Sequence, residues 1–237
     1  MERSRGLDGG TLKLLAAACM LLDHVGAILF PQALWLQCVG RLAFPVFAFL
    51  VAEGYAHTRD LRKYLLRMAA FAALSELPFD WKSGSVWDLN RQNVLLTFCL
   101  ALLTLRGIDA LRRERGMARY MGTAAVAAAG FAVGQLLRVD YGGGGVLTVV
   151  LFYLCREGVY ARPCLLAGMA VLNCLCIGSI KTEWFGVPVP IQIWAVLSLP
   201  LIWLYNGHGG GKGRRRWAFY AFYPAHLLIL EGIRALT

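Results

Sequence analysis

The sequence has few charged residues for a protein of its length. Asp, Glu, Lys and Arg make up 16% of the 237 residues, whereas a soluble globular domain carries about 25%. Hydrophobic residues make up 58%, and the mean hydropathy is +0.57. A soluble domain of this size could not bury so much apolar surface, and a disordered chain needs low hydrophobicity. These values exclude both classes and predict an integral membrane protein.

The sequence also lacks the patterns of a metal centre, a disulfide framework or a repeat protein. Its seven cysteines are an odd number, include no CxxC pair and lie mostly inside apolar runs. We therefore expect them to act as small packing residues, with no metal bound. The first apolar run carries an Asp-His pair and no convincing cleavage site, so we expect it to be retained rather than removed as a leader.

Apolar segments fill the chain from end to end. A membrane helix with a short connection takes roughly 26 residues, so the chain accommodates about nine and leaves no room for a separate soluble domain. We predict an all-α, polytopic helical bundle that forms a single domain over residues 1–237. The predicted segments are 11–30, 40–57, 61–79, 92–108, 119–137, 143–160, 163–178, 188–206 and 217–236.

The net charge of +10 is explained by topology. When the nine segments are threaded through a membrane, most of the 24 Lys and Arg residues fall on the side of the N-terminus. Because basic residues concentrate in cytoplasmic loops, the N-terminus is predicted to be cytoplasmic and the C-terminus to lie outside. This distribution removes the support for a nucleic-acid partner. The six basic residues on the other side are Arg41, Lys82, Arg91, Arg138, Lys181 and Arg234.

Several ionisable side chains fall inside the predicted membrane helices. A charge at the bilayer centre costs about 2.5–3.5 kcal/mol on insertion scales, so such residues usually face the bundle interior and serve a function. A neutral imidazole can accept a proton from a nucleophile, and a carboxylate can orient it. The same residues could instead be satisfied structural pairs, or the proton relay of a transporter. The candidate catalytic residues are Asp23, His24, Glu53, His57, Glu76 and Asp80.

Binding candidates divide between two poles. The cytoplasmic pole is basic and suits the phosphates of a nucleotide-type ligand, although the turn at 207–216 could equally contact anionic lipids. Its residues are Arg59, Lys63, Arg67, Lys212, Arg214, Arg215 and Arg216.

The outer pole carries acids and histidines that could hold an acceptor. There the glycine run 142–145 is expected to form a tight turn rather than a phosphate site. The candidate acceptor-binding residues are Arg41, Asn93, Asp140, Tyr141 and His226. An anionic donor from the cytoplasm and an external acceptor, meeting at a central base, would account for this polarity.

Five motifs in order along the chain resemble the TraX family of small bacterial membrane proteins. They are MLLDH (20–24), RLAFPVFAF (41–49), EGYAHTR (53–59), SELPFD (75–80) and YPAHL (223–227).

The resemblance implies a multi-pass protein of the bacterial cytoplasmic membrane with acetyltransferase activity, since the family is named for a member that N-acetylates conjugative pilin. A wider membrane acyltransferase superfamily uses cytoplasmic acetyl-CoA and an intramembrane histidine, to which His24 corresponds best. The implied acceptor is a pilin-like peptide, a glycan or a lipid. A proton-coupled transporter is the alternative.

Overall fold

The fold is described here from a computed structural model of the chain. It describes residues 6–82, 88, 90–177, 181–184, 186–209 and 214–236. Within these ranges the structure is almost entirely helical, which confirms the predicted all-α class. The α-helices are α1 (Gly9–Ile28), α2 (Leu34–Gly40), α3 (Ala43–His57), α4 (Leu61–Lys82), α5 (Val94–Ala110), α6 (Gly116–Leu136), α7 (Gly142–Leu154), α8 (Ala161–Val171), α9 (Ser198–Trp203) and α10 (Arg214–Leu236).

The region between α8 and α9 departs from the prediction. A π-helical turn, Leu172–Cys176, continues α8. A short antiparallel hairpin follows, formed by β1 (Lys181–Trp184) and β2 (Val187–Pro190), and a 3₁₀-helix spans Ile191–Leu197. The predicted membrane segment 188–206 was therefore wrong as one continuous helix. Its first residues include two prolines, which lack the amide hydrogen that a helix interior requires.

In the described part of the chain, three helical segments are long and apolar enough to cross a membrane. They are Gly9–Ile28, Leu34–His57 (α2 and α3 together) and Val94–Arg113. Three shorter apolar helical segments, Gly142–Leu154, Ala161–Cys176 and Ile191–Trp203, lie elsewhere in the described part of the chain. The structure thus supports a membrane protein, while the count of nine crossings and their orientation stay predictions.

Polar side chains fix the starts of three helices. Asp8 accepts a hydrogen bond from the amide of Thr11 at 2.7 Å, and Asn93 accepts one from the amide of Leu95 at 3.0 Å. At the start of α4, Asp60 accepts from the amide of Lys63 at 3.0 Å. Hydrogen bonds from Lys63 lower the pKa of the Asp60 carboxyl. Each cap satisfies an amide that has no partner inside its own helix.

Six helices pack as a closed circuit of neighbours. Following the contacts, α1 packs on α3, α3 on α7, α7 on α5, α5 on α4, α4 on α10, and α10 returns to α1. Helix α6 packs outside α5 and α7, while α8 and α9 lie against α7 and α3 respectively. The last helix of the chain therefore closes the circuit begun by the first. Residues that point inward from these six helices surround the candidate site.

The glycine run forms the first turn of α7 rather than the predicted tight turn. The chain reverses direction where the run begins, at Tyr141 and Gly142, which adopt left-handed φ values of +62° and +55°. A Cβ on Gly143 would overlap the carbonyl oxygen of Phe131 in α6, and one on Gly144 would overlap Ile177. These glycines therefore let α7 approach its neighbours closely.

Replacing Gly143 with alanine should separate α6 from α7. Overpacking at a well-packed position costs about 1–3 kcal/mol, so we expect a lower midpoint of thermal unfolding in detergent for Gly143→Ala. Gly232 in α10 is the matched control, because no atom lies within 4 Å of its would-be Cβ. Gly232→Ala should keep or raise the midpoint, since alanine stabilises a helix interior by about 0.5–1 kcal/mol over glycine. Equal midpoints for the two variants would contradict the close packing.

Candidate functional site

Among the described residues, two adjoining cavities lie inside the circuit of six helices. We call the larger, of about 310 Å³, the basic cavity; its lining includes Lys13, His57, Tyr64 and Arg67. We call the smaller, of about 40 Å³, the histidine cavity. Its lining includes Asp23, His24, Gly40, Asp140 and Tyr141.

The two cavities share three aromatic residues. Phe47 of α3, Phe98 of α5 and Tyr223 of α10 line both, and we call them the aromatic collar. Tyr223 and Phe98 are each about 5% exposed or less. The collar is therefore the point at which a long ligand bound in one cavity could reach the other.

The basic cavity presents cations and aromatic rings. The Nε of Arg67 is buried and has no hydrogen-bond partner among the described residues. The Lys13 ammonium lies 6.0 Å from the centre of the Phe219 ring, and the Tyr220 ring stacks on Phe71 with centres 5.1 Å apart. An anion can satisfy a buried guanidinium, and a planar ring can contact the aromatic walls. This lining fits an anionic ligand with an aromatic moiety.

Two histidines from opposite ends of the chain meet at the histidine cavity. Nδ1 of His24 in α1 lies 2.6 Å from Nε2 of His226 in α10. Nδ1 of His226 lies 2.7 Å from the carbonyl oxygen of Phe222, one turn earlier. The His226 ring also stacks on the Phe222 ring, with centres 4.8 Å apart and planes 12° apart. Both histidines are buried, at 8% and 4% exposure.

Ion pairs neutralise the two carboxylates of the histidine cavity. Asp23 pairs with Arg41 at 2.8 Å, and Asp140 pairs with Arg91 at 2.9 Å. Pairing is what makes a charge tolerable in an apolar interior. Tyr141 stacks on Phe44, with ring centres 3.9 Å apart. One cavity is thus lined by four of the predicted outer residues, Asp23, His24, Asp140 and Tyr141. Arg41 forms an ion pair with one of them, Asp23.

A polar chain behind Arg41 was not predicted. A guanidinium nitrogen of Arg41 donates to Gln192 at 3.4 Å, and the amide of Gln192 donates to Asn173 at 3.1 Å. Asn173 lies in the π-helical turn and donates to the carbonyl of Met169. Single amide residues inside apolar runs form no recognisable spacing pattern, so Asn173 and Gln192 could not be predicted from the sequence.

Glu76, Asp80 and Asn93 lie beside the histidine cavity without lining it. Asn93 donates to Glu76 in a short hydrogen bond and to the carbonyl of Ala72 at 2.8 Å. One Glu76 oxygen is buried without a hydrogen-bond partner in the described part of the chain. Asp80 accepts from the amide of Asp88 at 3.0 Å. These contacts tie the C-terminal half of α4 to the start of α5.

Glu53 and His57 lie at the basic end, away from His24. Glu53 pairs with Arg156 at 2.7 Å, and Nδ1 of His57 lies 2.9 Å from the carbonyl oxygen of Glu53. His57 lines the basic cavity, whereas Phe44 lines the histidine cavity. At 1.5 Å per residue, these two positions on α3 are about 20 Å apart. Glu53 and His57 therefore lie at the same end of the circuit as Arg67, and not beside His24.

The predicted phosphate-binding residues are only partly brought together. Arg67 lines the basic cavity. Arg59 and Lys63 are exposed outside its lining, and Lys63 pairs with Asp60 at 3.2 Å. Lys212 lies outside the described residues, and Arg214, Arg215 and Arg216 form the first turn of α10. Lys13 also lines the basic cavity. It was not among the predicted residues, because a lysine near the N-terminus of a membrane protein indicates only which side of the membrane that terminus occupies.

A second unpredicted cluster lies at the ends of α3, α5 and α7. Asp109 accepts from the hydroxyls of Tyr55 and Tyr153 at 2.9 and 2.6 Å, and from Arg112 at 2.9 Å. The spacing of Asp109 and Arg112, three residues apart at a helix end, was a sequence signal for this cluster.

In the described ranges, no group of three or more His, Cys, Asp or Glu side chains is arranged to hold a metal ion.

Comparison with known proteins gives full-length relatives. A family model described as TraX protein matches residues 8–234. A probable fimbrial assembly protein FimC (serogroup H1) of Dichelobacter nodosus is 30% identical, over 97% of each chain. Protein TraX of Escherichia coli K12 is 28% identical, over 95% of this chain and 86% of the relative. No solved structure matches. The chain belongs to the TraX family.

Proposed function

We propose that this protein is a membrane acetyltransferase that moves an acetyl group from cytoplasmic acetyl-CoA to an amine or hydroxyl acceptor. The observation that carries the proposal is the pair of adjoining cavities joined at the aromatic collar, with cations at one end and His24 at the other. Acetyl-CoA has the same polarity, with phosphates and an adenine ring at one end and a thioester on a long arm at the other.

The basic cavity would hold the nucleotide part of acetyl-CoA. Arg67 and Lys13 would contact the phosphates, and the Phe219 and Tyr220 rings would contact the adenine. Arg59, Lys63, Lys212, Arg214, Arg215 and Arg216 would add a positive field on the cytoplasmic side, which speeds the approach of an anion.

In the histidine cavity, His24 would accept the proton of the acceptor as general base. The acceptor nitrogen or oxygen bonds to the acetyl carbonyl carbon, the carbon–sulfur bond breaks, and the proton held on His24 passes to the departing thiolate. A second route has His24 carry the acetyl group transiently. Asp23 and Asp140, held by Arg41 and Arg91, would position the acceptor rather than take its proton.

The relatives support one class of acceptor. The name of the Dichelobacter nodosus relative places that protein in fimbrial assembly, which supports a pilin-like peptide amine as acceptor for this chain. A glycan or lipid hydroxyl would use the same chemistry. We place the protein in the bacterial cytoplasmic membrane with a cytoplasmic N-terminus, in line with its distribution of basic residues.

Removing the Arg67 charge should weaken acetyl-CoA binding. Hydrogen bonds to charged groups contribute about 1.5–3 kcal/mol, so Arg67→Met should raise the Kd for CoA by about 10–100-fold, measured by calorimetry on the purified protein. Arg62 is the matched control, because it is an exposed arginine on the same helix outside the cavity lining. Arg62→Met should leave the Kd within about twofold. An unchanged Kd in Arg67→Met would contradict this assignment of the basic cavity.

Removing the base should abolish transfer without abolishing donor binding. General-base catalysis contributes about 10²–10⁴-fold to a rate. His24→Gln should therefore lower the rate of acetyl transfer from radiolabelled acetyl-CoA by about 100-fold or more. The Kd for CoA should stay the same, because His24 lies beyond the collar from Arg67.

The exposed His208 provides the control for the His24 experiment, and His208→Gln should be fully active. Unchanged turnover in His24→Gln would remove His24 from the chemistry. Proton-gradient-dependent solute flux in proteoliposomes, without any acetyl transfer by the unaltered protein, would replace the proposal with the transporter alternative.

A further inference from the structure

The hydrogen-bond chain from α10 to α1 determines which nitrogens carry protons. A backbone carbonyl only accepts, so Nδ1 of His226 must donate to the Phe222 oxygen that lies 2.7 Å away. In a neutral imidazole the other nitrogen is then an acceptor. Nε2 of His226 therefore accepts from His24, and Nδ1 of His24 carries the hydrogen of the 2.6 Å contact. In neutral His24 the lone pair is then on Nε2.

Aromatic side chains of α10 pack around the hydrogen-bonded His226 ring. The His226 ring stacks on Phe222, and the Tyr223 ring lies at 55° to it with centres 5.9 Å apart. Tyr223 belongs to the aromatic collar and also contacts the His24 ring, at 6.5 Å between centres. His226 thus holds one orientation, and the His24 orientation follows from it.

We propose that His226 is a positioning residue that fixes His24 in the tautomer protonated on Nδ1 and shares the proton when His24 becomes cationic. This role rests on the proposed acetyl transfer and replaces the acceptor-binding role predicted for His226 from the sequence. Of the two histidines, His24 lines the histidine cavity and His226 does not. In hydrolytic triads a carboxylate orients the catalytic histidine. Here the residue that orients His24 would be a second imidazole, that of His226.

The nearby carboxylates are engaged by other residues, which accounts for an imidazole as the hydrogen-bond partner of His24. Asp23 is the next residue to His24, but adjacent helical residues point about 100° apart. Its carboxylate is engaged by Arg41 at 2.8 Å, and that of Asp140 by Arg91 at 2.9 Å. Both carboxylates are thus held by arginines, whereas Nε2 of His226 contacts Nδ1 of His24 directly at 2.6 Å. When His24 takes a proton on Nε2, the hydrogen between the two rings can lie on either nitrogen, which spreads the positive charge over both.

The tautomer can be measured without any substrate. The chain has four histidines, so ¹⁵N-histidine-labelled protein in detergent gives few NMR signals, which single His→Gln variants assign. In the unaltered protein at pH 8 we expect Nδ1 of His24 to be protonated and Nε2 not. In His226→Ala we expect both tautomers of His24. His24 protonated on Nε2 in the unaltered protein, or a single unchanged tautomer in His226→Ala, would overturn the proposal.

Two substitutions separate positioning from proton sharing. The amide oxygen of His226→Gln can accept the Nδ1 hydrogen but cannot take up a proton. We expect it to keep the His24 tautomer, to lower kcat by about tenfold or more, and to shift the pH–rate profile, with KM for acetyl-CoA unchanged. His226→Ala should lose both the tautomer and the activity, and His208→Gln again serves as control.

The NMR result also keeps this proposal distinct from the proposed function. A Nδ1-protonated His24 in a protein that transfers no acetyl group would overturn the acetyltransferase and leave the pair as described. Full activity with an unshifted pH profile in His226→Gln would overturn the proton-sharing role while the acetyltransferase stands.

Discussion

Burying a charge in an apolar helical bundle is costly unless the charge is paired, and this requirement organises the interior of the protein. The ion pairs Asp23–Arg41, Asp140–Arg91 and Glu53–Arg156 each join separate segments of the chain, which are 18, 49 and 103 residues apart in sequence. The Asp109 cluster does the same for three further helix ends. Where pairing is complete, the polar groups connect helices. Where it is incomplete, as at Arg67 Nε, the structure offers a place for a ligand.

Close helix packing then decides where these groups meet. Gly40 lets the Asp23 side chain approach the end of α2, and Gly54 lets the Tyr64 ring lie against α3. The glycines that open α7 bring its first turn, and with it Asp140 and Tyr141, into the circuit of six helices. Because α10 closes this circuit between α1 and α4, His226 near the C-terminus can contact His24 near the N-terminus.

Much of this arrangement could be predicted from the sequence, since charges inside apolar segments are conspicuous. The two poles were expected, and the structure places Lys13, His57 and Arg67 at one end and Asp23, His24 and Asp140 at the other. The meeting of His24 with His226 could not be predicted, because 202 residues separate them and periodicity carries no information on which helices are neighbours. Glu53 and His57 were grouped with His24 by residue type alone, although they lie at the opposite end of α3.

The hairpin and the 3₁₀-helix between α8 and α9 were missed for a different reason. The residues of β2 and of the 3₁₀-helix are almost all apolar, like those of a membrane helix, and hydropathy alone does not separate the two structures. Two prolines in one short run, Pro188 and Pro190, are better accommodated by extended backbone than by a helix interior.

The central claim is that one ligand passes from the basic cavity through the aromatic collar to His24. The most direct measurement is a cryo-electron microscopy structure of the purified protein with CoA bound, in which the position of each end of the ligand is observed. The account predicts phosphates in contact with Lys13 and Arg67, and the sulfur beyond Phe47, Phe98 and Tyr223, beside His24. CoA bound elsewhere, with the collar unoccupied, would contradict it.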